Sequence, residues 1–304
     1  MSDALTTKQG IYPWLLAARP KTLSAAVTPI LISTMLSFHY SLTVNYQKIC
    51  FLSILALFST IFIQIGTNLI NDALDFKKGA DNENRLGPKR VTQSGLLSAK
   101  QVMIGGFLSF LISVLLAIPL VLHSGFPIIV IGLVALLFGY LYTGGPYPLA
   151  YKGLGELFVI LFFGLVAVGG VFYLQTGFLN TAALIAGLEV GLLATVLISI
   201  NNYRDYLEDR KVRKMTLAAR FGPCFAKYEI LFLYFSTYSI HLYWFYEINS
   251  WSALLPFVTL PLAIKIVKDL FHQEPSRIFN KYLGMSALLQ LLFGILFSIG
   301  ILIG

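Results

Sequence analysis

The sequence predicts an all-α polytopic membrane protein with nine transmembrane helices and a cytoplasmic N-terminus. Of its 304 residues, 57% are hydrophobic and only 12% are charged, whereas soluble domains carry about a quarter charged residues. Uncharged stretches of roughly 20 residues recur along the chain, and that is the length of helix that crosses a bilayer. The mean hydropathy of +0.77 excludes a disordered chain, and short alternating segments typical of a membrane barrel do not occur.

The uncharged stretches give the helices in order. They are predicted at residues 22–41, 50–71, 101–122, 126–143, 154–175, 182–203, 229–247, 251–270 and 282–303. A break at residues 124–127 divides the long uncharged run 101–151 into two helices. The whole chain, 1–304, is predicted as one membrane domain. Residues 1–18 form a polar N-terminal segment, and 72–100 and 204–228 form two cytoplasmic active-site loops.

The basic residues support this helix count. With nine helices, all but Lys48 of the 22 Lys and Arg residues fall on the side of the N-terminus. The positive-inside rule makes that side cytoplasmic, so the N-terminus is predicted inside and the C-terminus outside; the location predicted for the protein is a bacterial cytoplasmic (inner) membrane, with its active site on the cytoplasmic side. Lys78 and Arg213 are expected in solvated parts of the two loops.

Half of the 14 acidic residues fall in two short segments, 68–83 and 201–211. Each segment extends the inner end of an apolar span. Asn68 precedes Asp72 by four residues, and Asn201 precedes Asp205 by the same distance, which indicates a weak parallel repeat.

The spacing gives these segments a chemical meaning, because helix residues three and four apart share a face. Oxygen-only ligands suit a hard cation such as Mg²⁺, which binds one or two carboxylates together with substrate phosphate oxygens. The predicted catalytic and metal-binding residues are Asp72, Asp75, Asp205 and Asp209, flanked by Asn68 and Asn201. Asp81 and Glu83 are weaker candidates. The alternative is that these acids pair with nearby Lys and Arg at solvated helix ends.

A junction rich in Gly, Pro and Tyr follows the fourth helix, at residues 140–156. Tyr142, Tyr151 and Lys152 could form the wall of a site for a planar aromatic substrate, with Lys152 near an anion, and Glu156 could join the same cavity. The alternative is an interfacial aromatic belt at a tight turn. Glu189 lies inside the sixth helix, and no basic residue is predicted nearby. An acid within a membrane span is a functional candidate by default. The alternative is that Glu189 is protonated and hydrogen-bonded.

Two acidic Asn-Asp motifs on helices two and six resemble the UbiA superfamily of intramembrane prenyltransferases. The similarity is greatest to its 1,4-dihydroxy-2-naphthoate branch. The segments that carry the resemblance are 18–22, 68–81, 87–97, 142–156 and 201–222. Many superfamily members have a third Asp where this chain has Gly79, and here Asp81 follows two residues later.

The resemblance implies transfer of a polyprenyl chain from a polyprenyl diphosphate to an aromatic acceptor, 1,4-dihydroxy-2-naphthoate, with loss of CO₂ and diphosphate. It implies Mg²⁺ held by the four aspartates. It also implies substrate-binding roles for Lys77, Arg90, Arg204 and Lys214. The lipid bilayer would surround the prenyl tail, and no nucleic-acid partner is expected.

Three other functions remain open from the sequence. A secondary transporter could also have parallel repeats and polar residues in its spans, although transporters bind near the midplane. A phosphatidyl-alcohol transferase also has Asp-rich metal motifs, but its single long pattern is absent. A UbiA relative could use another acceptor, such as 4-hydroxybenzoate, homogentisate or haem.

Overall fold

A computed structural model describes residues 10–41, 45–81 and 85–304. The part of the chain it describes is helical, with short connections between helices. In chain order the helices are α1 (Tyr12–Ala18), α2 (Ser24–Tyr40), α3 (Tyr46–Lys77), α4 (Ala99–Ser124), α5 (Phe126–Leu141), α6 (Gly155–Thr176), α7 (Thr181–Lys211), α8 (Leu217–His241), α9 (Tyr243–Ile248), α10 (Leu260–His272) and α11 (Phe279–Ile303).

Five of these helices are long and apolar enough to cross a membrane: α3, α4, α6, α7 and α11. Helix α5 is equally apolar but has only 16 residues. Helices α2, α8 and α10 correspond in position to the first, seventh and eighth predicted spans. The all-helical membrane architecture is therefore confirmed, while the count of nine spans and the orientation stay predictions.

The segment predicted as a cytoplasmic loop at 204–228 is largely helical. Helix α7 continues to Lys211, and α8 begins at Leu217, well before the predicted start at 229. Hydropathy predicts where the apolar span ends. The helix itself can continue beyond that point, because its backbone hydrogen bonds persist as long as the residues favour a helix. At Gly222 the backbone of α8 bends (φ 88°), a conformation that glycine adopts without steric cost, and Pro223 follows directly.

Helix α7 lies at the centre of the bundle. In its most apolar stretch 78% of the residues are buried inside the protein, whereas the value for α4 is 28%. Leu108, Leu111 and Leu115 of α4 are each more than half exposed, as expected of a helix that faces lipid. A helix buried on all sides places its polar residues inside the protein. The second acidic segment, at the inner end of α7, is therefore largely buried.

Helices α6 and α7 approach each other closely through glycines. A Cβ atom on Gly164 would lie 2.3 Å from the carbonyl oxygen of Gly187, so a larger residue would force the helices apart. Small residues at such contacts let helix backbones pack tightly in membranes. The contact lies within Ile160–Val166 of α6, which forms a wider π-helical turn, a feature frequent at functional sites.

Candidate active site

A cavity of about 380 Å³ lies between α3, α5, α6 and α7. One end of it is polar, and its lining there includes Arg19, Asn68, Asn71, Asp75, Arg85, Arg90, Tyr142, Thr143, Asn201, Asn202 and Lys214. The remainder is apolar, and its lining includes Ala56, Leu120, Ile128, Ile131, Val171 and Leu174. The cavity thus joins a charged compartment to a hydrocarbon-lined one.

One face of α3 supplies the polar wall. Asn68, Asn71 and Asp75 all line the cavity, at the spacings of three and four that place helix residues on one face. The hydroxyl of Thr143 donates a hydrogen bond to Oδ1 of Asn71 at 2.5 Å. The Asn68 side chain donates to the carbonyl of Ala18 at 3.1 Å, which holds the end of α1 against this wall.

Asp72 lies on a neighbouring face of α3 and is only 1% exposed. Its carboxylate accepts hydrogen bonds from the backbone N–H groups of Val91 at 3.3 Å and Thr92 at 3.4 Å, and from the Thr92 hydroxyl. Asp72 and Asp205 were predicted as matching metal ligands, and neither side chain lines the cavity. Asn71 and Asp75, which have the same four-residue spacing, do line it.

Asp75 is held by a tyrosine from the junction after α5. The Tyr151 hydroxyl donates to Oδ1 of Asp75 at 2.8 Å. Burial, and then the negative charge of Asp75, raise the pKa of Tyr151, so this hydroxyl keeps its proton. The ammonium groups of Lys78 and Lys214 lie 4.4 Å and 6.0 Å from the centre of the Tyr151 ring, within the range of cation–π attraction.

The two acidic segments meet through Arg85. Its Nη1 contacts Oδ1 of Asp81, and its Nη2 lies 3.8 Å from Oδ2 of Asp205. Nε of Arg90 lies 3.6 Å from the other oxygen of Asp81. The inner ends of α3 and α7 therefore converge at one end of the cavity.

Arg204 is buried and turned away from the cavity. Its guanidinium donates to both oxygens of Asp205, at 2.8 and 2.6 Å. It also donates to Asn201 at 2.7 Å and to Asn280 of α11 at 2.6 Å. A planar guanidinium suits such multiple contacts, and here they fix the position of Asp205.

Asp209 and Lys214 form a second pair at this end. Nζ of Lys214 lies 3.4 Å from Oδ1 of Asp209. Burial opposes the charge on Lys214, but Asp209 and Asp75 outweigh it and raise the pKa of the lysine above its usual value. Lys214 therefore carries its positive charge into the cavity.

Three arginines place unpaired donors in the same compartment. The Nε atoms of Arg19, Arg85 and Arg90 are buried and have no hydrogen-bond partner among the described residues. Burial lowers the pKa of Arg90 well below its usual value, and the neighbouring Arg19 and Arg85 lower it further. Clustered cations with unpaired N–H groups are a binding site for an anion.

Asn71 and Arg85 were not predicted as site residues, and Arg19 was predicted only as part of the segment 18–22 that carries the family resemblance. Asn71 lies four residues before Asp75, and Arg85 lies four residues after Asp81. Neither spacing stands out in a segment where Asn, Asp, Lys and Glu are frequent.

Other predicted residues lie outside the cavity. Lys77 is exposed, and the ammonium group of Lys152 lies 4.8 Å from the ring centre of Tyr147. Lys78, predicted in a solvated loop, lies in the exposed turn after α3 and donates to the carbonyl of Thr143 at 2.5 Å. Glu83 lies outside the described residues.

The carboxylates at the polar end are the candidate ligands for a divalent cation. Within the described ranges, no three acidic, His or Cys side chains converge closely enough to form a metal site as they stand. Yet Oδ2 of Asp81 and Oδ2 of Asp209 are buried and accept no hydrogen bond from the described residues. An oxygen-only donor set with unused buried acceptors fits a hard cation.

Three phenylalanines form the wall next to the polar end. The ring centres of Phe138 and Phe158 are 4.9 Å apart, those of Phe138 and Phe162 are 5.3 Å apart, and all three rings line the cavity. Behind them, the side chain of Asn202 donates to Oε1 of the buried Glu156 at 2.7 Å. Aromatic faces and a fixed amide suit a planar ring with polar substituents.

Glu189 has partners that the sequence did not reveal. Nδ1 of His241 lies 3.2 Å from its carboxylate, and the Trp244 indole N–H donates to it at 3.1 Å. All three side chains are fully buried. The cluster lies about 24 Å along α7 from Asp205, at 1.5 Å per residue, and it links α7 to α8 and α9.

Comparisons with known proteins agree with this geometry. The model of the UbiA prenyltransferase family matches residues 26–301. The chain is 33% identical to 1,4-dihydroxy-2-naphthoate octaprenyltransferase of Haemophilus influenzae, with 96% of each chain covered. It is 32% identical to the Bacillus subtilis protein of the same name, with 94% of this chain and 90% of the relative covered.

Solved structures share the fold. A UbiA homologue from Archaeoglobus fulgidus bound to DMAPP and Mg²⁺ superposes with a TM-score of 0.60 at 18% identity, covering 94% of this chain and 99% of that one. A UbiA homologue from Aeropyrum pernix K1 gives a TM-score of 0.67 at 15% identity, with 93% and 97% covered.

Proposed function

The chain belongs to the UbiA prenyltransferase family, and we propose that it transfers a polyprenyl chain from a polyprenyl diphosphate to 1,4-dihydroxy-2-naphthoate. Diphosphate and CO₂ are released, and the product is a demethylated menaquinol. The single observation that carries this proposal is the cavity, whose cationic and acidic end continues into an apolar compartment. A polyprenyl diphosphate has a charged head and an apolar tail, which match the two parts of the cavity.

The head group binds at the polar end in this proposal. Arg19, Arg85, Arg90 and Lys214 direct positive charge and unpaired donors toward its phosphate oxygens. Mg²⁺ would be held by Asp75, Asp81, Asp205 and Asp209. When bound, it neutralises charge on the leaving diphosphate.

Asp72 and Arg204 have supporting roles in this scheme. Asp72 fixes the backbone of Val91 and Thr92 and so holds Arg90 at the cavity. Arg204 fixes Asp205. Both residues position a neighbour that faces the head group.

The reaction exchanges one carbon–oxygen bond for a carbon–carbon bond. The bond between C1 of the prenyl chain and the diphosphate breaks, and its electron pair leaves with the phosphate. The ring carbon that bears the carboxylate bonds to C1. The carbon–carboxylate bond then breaks and CO₂ departs, so this step requires no protein base.

The protein contributes positioning and exclusion of water. Phe138, Phe158 and Phe162 form a dry wall beside the polar end, which protects an electron-poor allylic centre from hydrolysis. Tyr142 lines the cavity there. Its hydroxyl and the Asn202 side chain are available to the polar groups of the acceptor.

The protein is integral to the membrane, and we propose that it has nine spans in a bacterial inner membrane with the active site facing the cytoplasm. The distribution of Lys and Arg, with Lys48 alone on the opposite side, supports this orientation. The cytoplasmic face would give the cavity access to the water-soluble acceptor.

A panel of acceptors tests the function. Membranes containing the protein are incubated with Mg²⁺, a prenyl diphosphate and either dihydroxynaphthoate, 4-hydroxybenzoate or homogentisate, and products are identified by mass. The proposal predicts a prenylated product that has lost CO₂ with dihydroxynaphthoate alone. Product with another acceptor and none with dihydroxynaphthoate would replace it by a different reaction of the same family.

A further inference from the structure

A buried hydrogen bond connects the wall of the cavity to an acid behind it. The side-chain amide of Asn202 on α7 donates to Oε1 of Glu156 on α6 at 2.7 Å, and each residue is only 4% exposed. Asn202 lines the cavity at its polar end, whereas Glu156 lies behind this wall. The pair thus joins a residue that a ligand can touch to one that it does not reach.

The start of α6 holds Glu156 in place. A Cβ atom on Gly155 would lie 3.0 Å from the Tyr142 hydroxyl, so the backbone of this first turn packs tightly against the junction that follows α5. On the other side, the Thr195 hydroxyl of α7 lies 3.5 Å from the carbonyl oxygen of Glu156. These contacts fix the position of the Glu156 carboxyl group relative to α7.

The hydrogen bond between the pair decides which way the Asn202 amide faces. An asparagine amide has an NH₂ group that donates and an oxygen that accepts. Oε1 of Glu156 accepts the N–H whether the acid is ionised or carries a proton on Oε2, which has no partner among the described residues. The amide nitrogen therefore lies toward Glu156. No described residue donates to Oδ1 of Asn202, so this oxygen is free to accept a hydrogen bond from a ligand.

An oxygen that only accepts selects a donor group on the ligand. Dihydroxynaphthoate has two ring hydroxyls, which donate, and a carboxylate, which only accepts. Oδ1 of Asn202 therefore suits a ring hydroxyl and opposes the carboxylate. If the amide were reversed, its NH₂ group would suit the carboxylate instead, so the orientation of this one amide favours one placement of the ring over another.

We propose that Glu156 is a positioning residue for the aromatic acceptor. It holds the Asn202 amide with Oδ1 toward the cavity, where this oxygen accepts a hydrogen bond from a ring hydroxyl. The inference rests on the proposed function, because it assumes that dihydroxynaphthoate occupies the polar end of the cavity. Holding one hydroxyl restricts the orientations in which the ring meets the prenyl donor, and such restriction accelerates a reaction between two bound substrates.

The test separates the two substrates by their KM values. KM for dihydroxynaphthoate and KM for octaprenyl diphosphate are measured with Mg²⁺ in purified native protein, Glu156→Leu, Glu156→Gln, Asn202→Ala and the double variant Glu156→Leu/Asn202→Ala. A KM value does not depend on how much of each variant is folded. The matched control is Glu189→Leu, which makes the same replacement at a fully buried acid of α7, about 20 Å from Asn202 at 1.5 Å per residue.

Glu156→Leu and Asn202→Ala are each expected to raise KM for dihydroxynaphthoate about tenfold, the size of effect expected for one hydrogen bond, and to leave KM for octaprenyl diphosphate unchanged. The double variant should show no larger rise than either single variant, because both remove the same interaction. Glu156→Gln should stay near the native value, since its side-chain oxygen can accept the same N–H. Glu189→Leu should keep both native KM values.

A second measurement identifies the group that Asn202 contacts. Under anaerobic conditions, 1,4-dihydroxynaphthalene, which keeps both hydroxyls and lacks the carboxylate, should inhibit competitively, and Glu156→Leu should raise its inhibition constant by the same factor. Inhibition that Glu156→Leu does not affect, or no inhibition of the native protein, would assign the contact to the carboxylate and overturn the inference.

The kinetic outcomes also separate this inference from the proposed function. A native KM for dihydroxynaphthoate in Glu156→Leu, an equal rise for both substrates, or additive effects in the double variant would overturn the positioning role while prenyl transfer stands. No prenylated naphthoate from the native protein would instead overturn the proposed function, and the inference with it.

Discussion

Nη2 of Arg85 lies 3.8 Å from Oδ2 of Asp205, and this contact joins the loop after the first acidic segment to the helix that carries the second. The same guanidinium also contacts Asp81. The proposed function places a divalent cation and a diphosphate between the two segments, where Arg85 lies. We therefore expect Arg85 to exchange its carboxylate partners for phosphate oxygens when these ligands bind.

Replacing Arg85 tests its part in binding the head group. Arg85→Gln removes a positive charge and donors aimed at the phosphates, so kcat/KM for the prenyl diphosphate should fall about 100-fold, as when a preorganised donor is deleted from an active site. Steady-state kinetics with varied prenyl diphosphate at saturating acceptor measure this change.

The control for Arg85 is Lys211→Gln, because the Lys211 side chain is 65% exposed and pairs with Glu208 outside the cavity. Its kinetics should match those of the native protein. A similar loss in both variants would indicate a general effect of net charge and would contradict a specific role for Arg85.

The two aspartates of α3 should behave differently. Asp75→Asn removes a carboxylate from the cavity wall, and the Mg²⁺ concentration that gives half-maximal rate should rise at least tenfold, on the order of effects seen when metal sites lose supporting groups. Asp72→Asn should leave that concentration unchanged. It should lower the unfolding free energy by about 2 kcal/mol, because charged hydrogen bonds to Val91 and Thr92 are weakened.

Mg²⁺ titration of the transfer rate and thermal unfolding in detergent, applied to both variants, measure the two effects. The opposite result, a large shift in Mg²⁺ dependence for Asp72→Asn and none for Asp75→Asn, would support the ligand assignment made from the sequence and overturn the one drawn from the structure.

Replacing Arg204 by lysine should destabilise the fold even though the positive charge is kept. Arg204→Lys cannot reproduce the contacts to Asp205, Asn201 and Asn280, and breaking a buried ion pair costs about 3–5 kcal/mol. We expect a clear fall in the thermal midpoint. Lys211→Met, which removes a surface pair, should cost at most about 1 kcal/mol, and equal midpoints in the two variants would contradict this account.

The buried cluster around Glu189 is predicted to be structural. His241→Leu leaves the carboxylate of Glu189 with a lost partner, so the unfolding free energy should fall by about 1–3 kcal/mol. The KM values for both substrates should stay native, because the cluster is remote from Asp205 along α7. A changed KM in properly folded His241→Leu protein would show that the cluster communicates with the active site.

The sequence predicted the all-helical membrane architecture, because long apolar stretches are a direct consequence of the bilayer, whereas the nine-span count and the orientation drawn from the charge asymmetry stay predictions. It also identified both acidic segments. It predicted Asp72 and Asp75 together as ligands on one face, because both satisfy helical spacing relative to Asn68, whereas only Asp75 lines the cavity. The packing of α3 decides this: the side that carries Asp72 contacts the backbone of Val91 and Thr92, and the side that carries Asp75 faces the cavity.

Two further features depended on tertiary structure. The partner of Glu189 is His241, 52 residues away in the sequence, and no local pattern connects them. The helical extension of α7 to Lys211 follows from backbone hydrogen bonding beyond the apolar span, which hydropathy does not detect. The contact between Glu189 and His241 joins segments that are distant in the sequence, and the end of α7 lies beyond its apolar span. Local composition predicts neither of these features.

The most direct test of the central claim compares product and diphosphate formation in native, Asp75→Asn and Lys211→Gln protein, each purified in detergent with dihydroxynaphthoate, octaprenyl diphosphate and Mg²⁺. The account predicts one diphosphate released for each prenylated, decarboxylated product in the native and Lys211→Gln proteins, with both abolished by chelating the metal and strongly reduced in Asp75→Asn. Native rates in Asp75→Asn, or transfer that persists after metal removal, would contradict it.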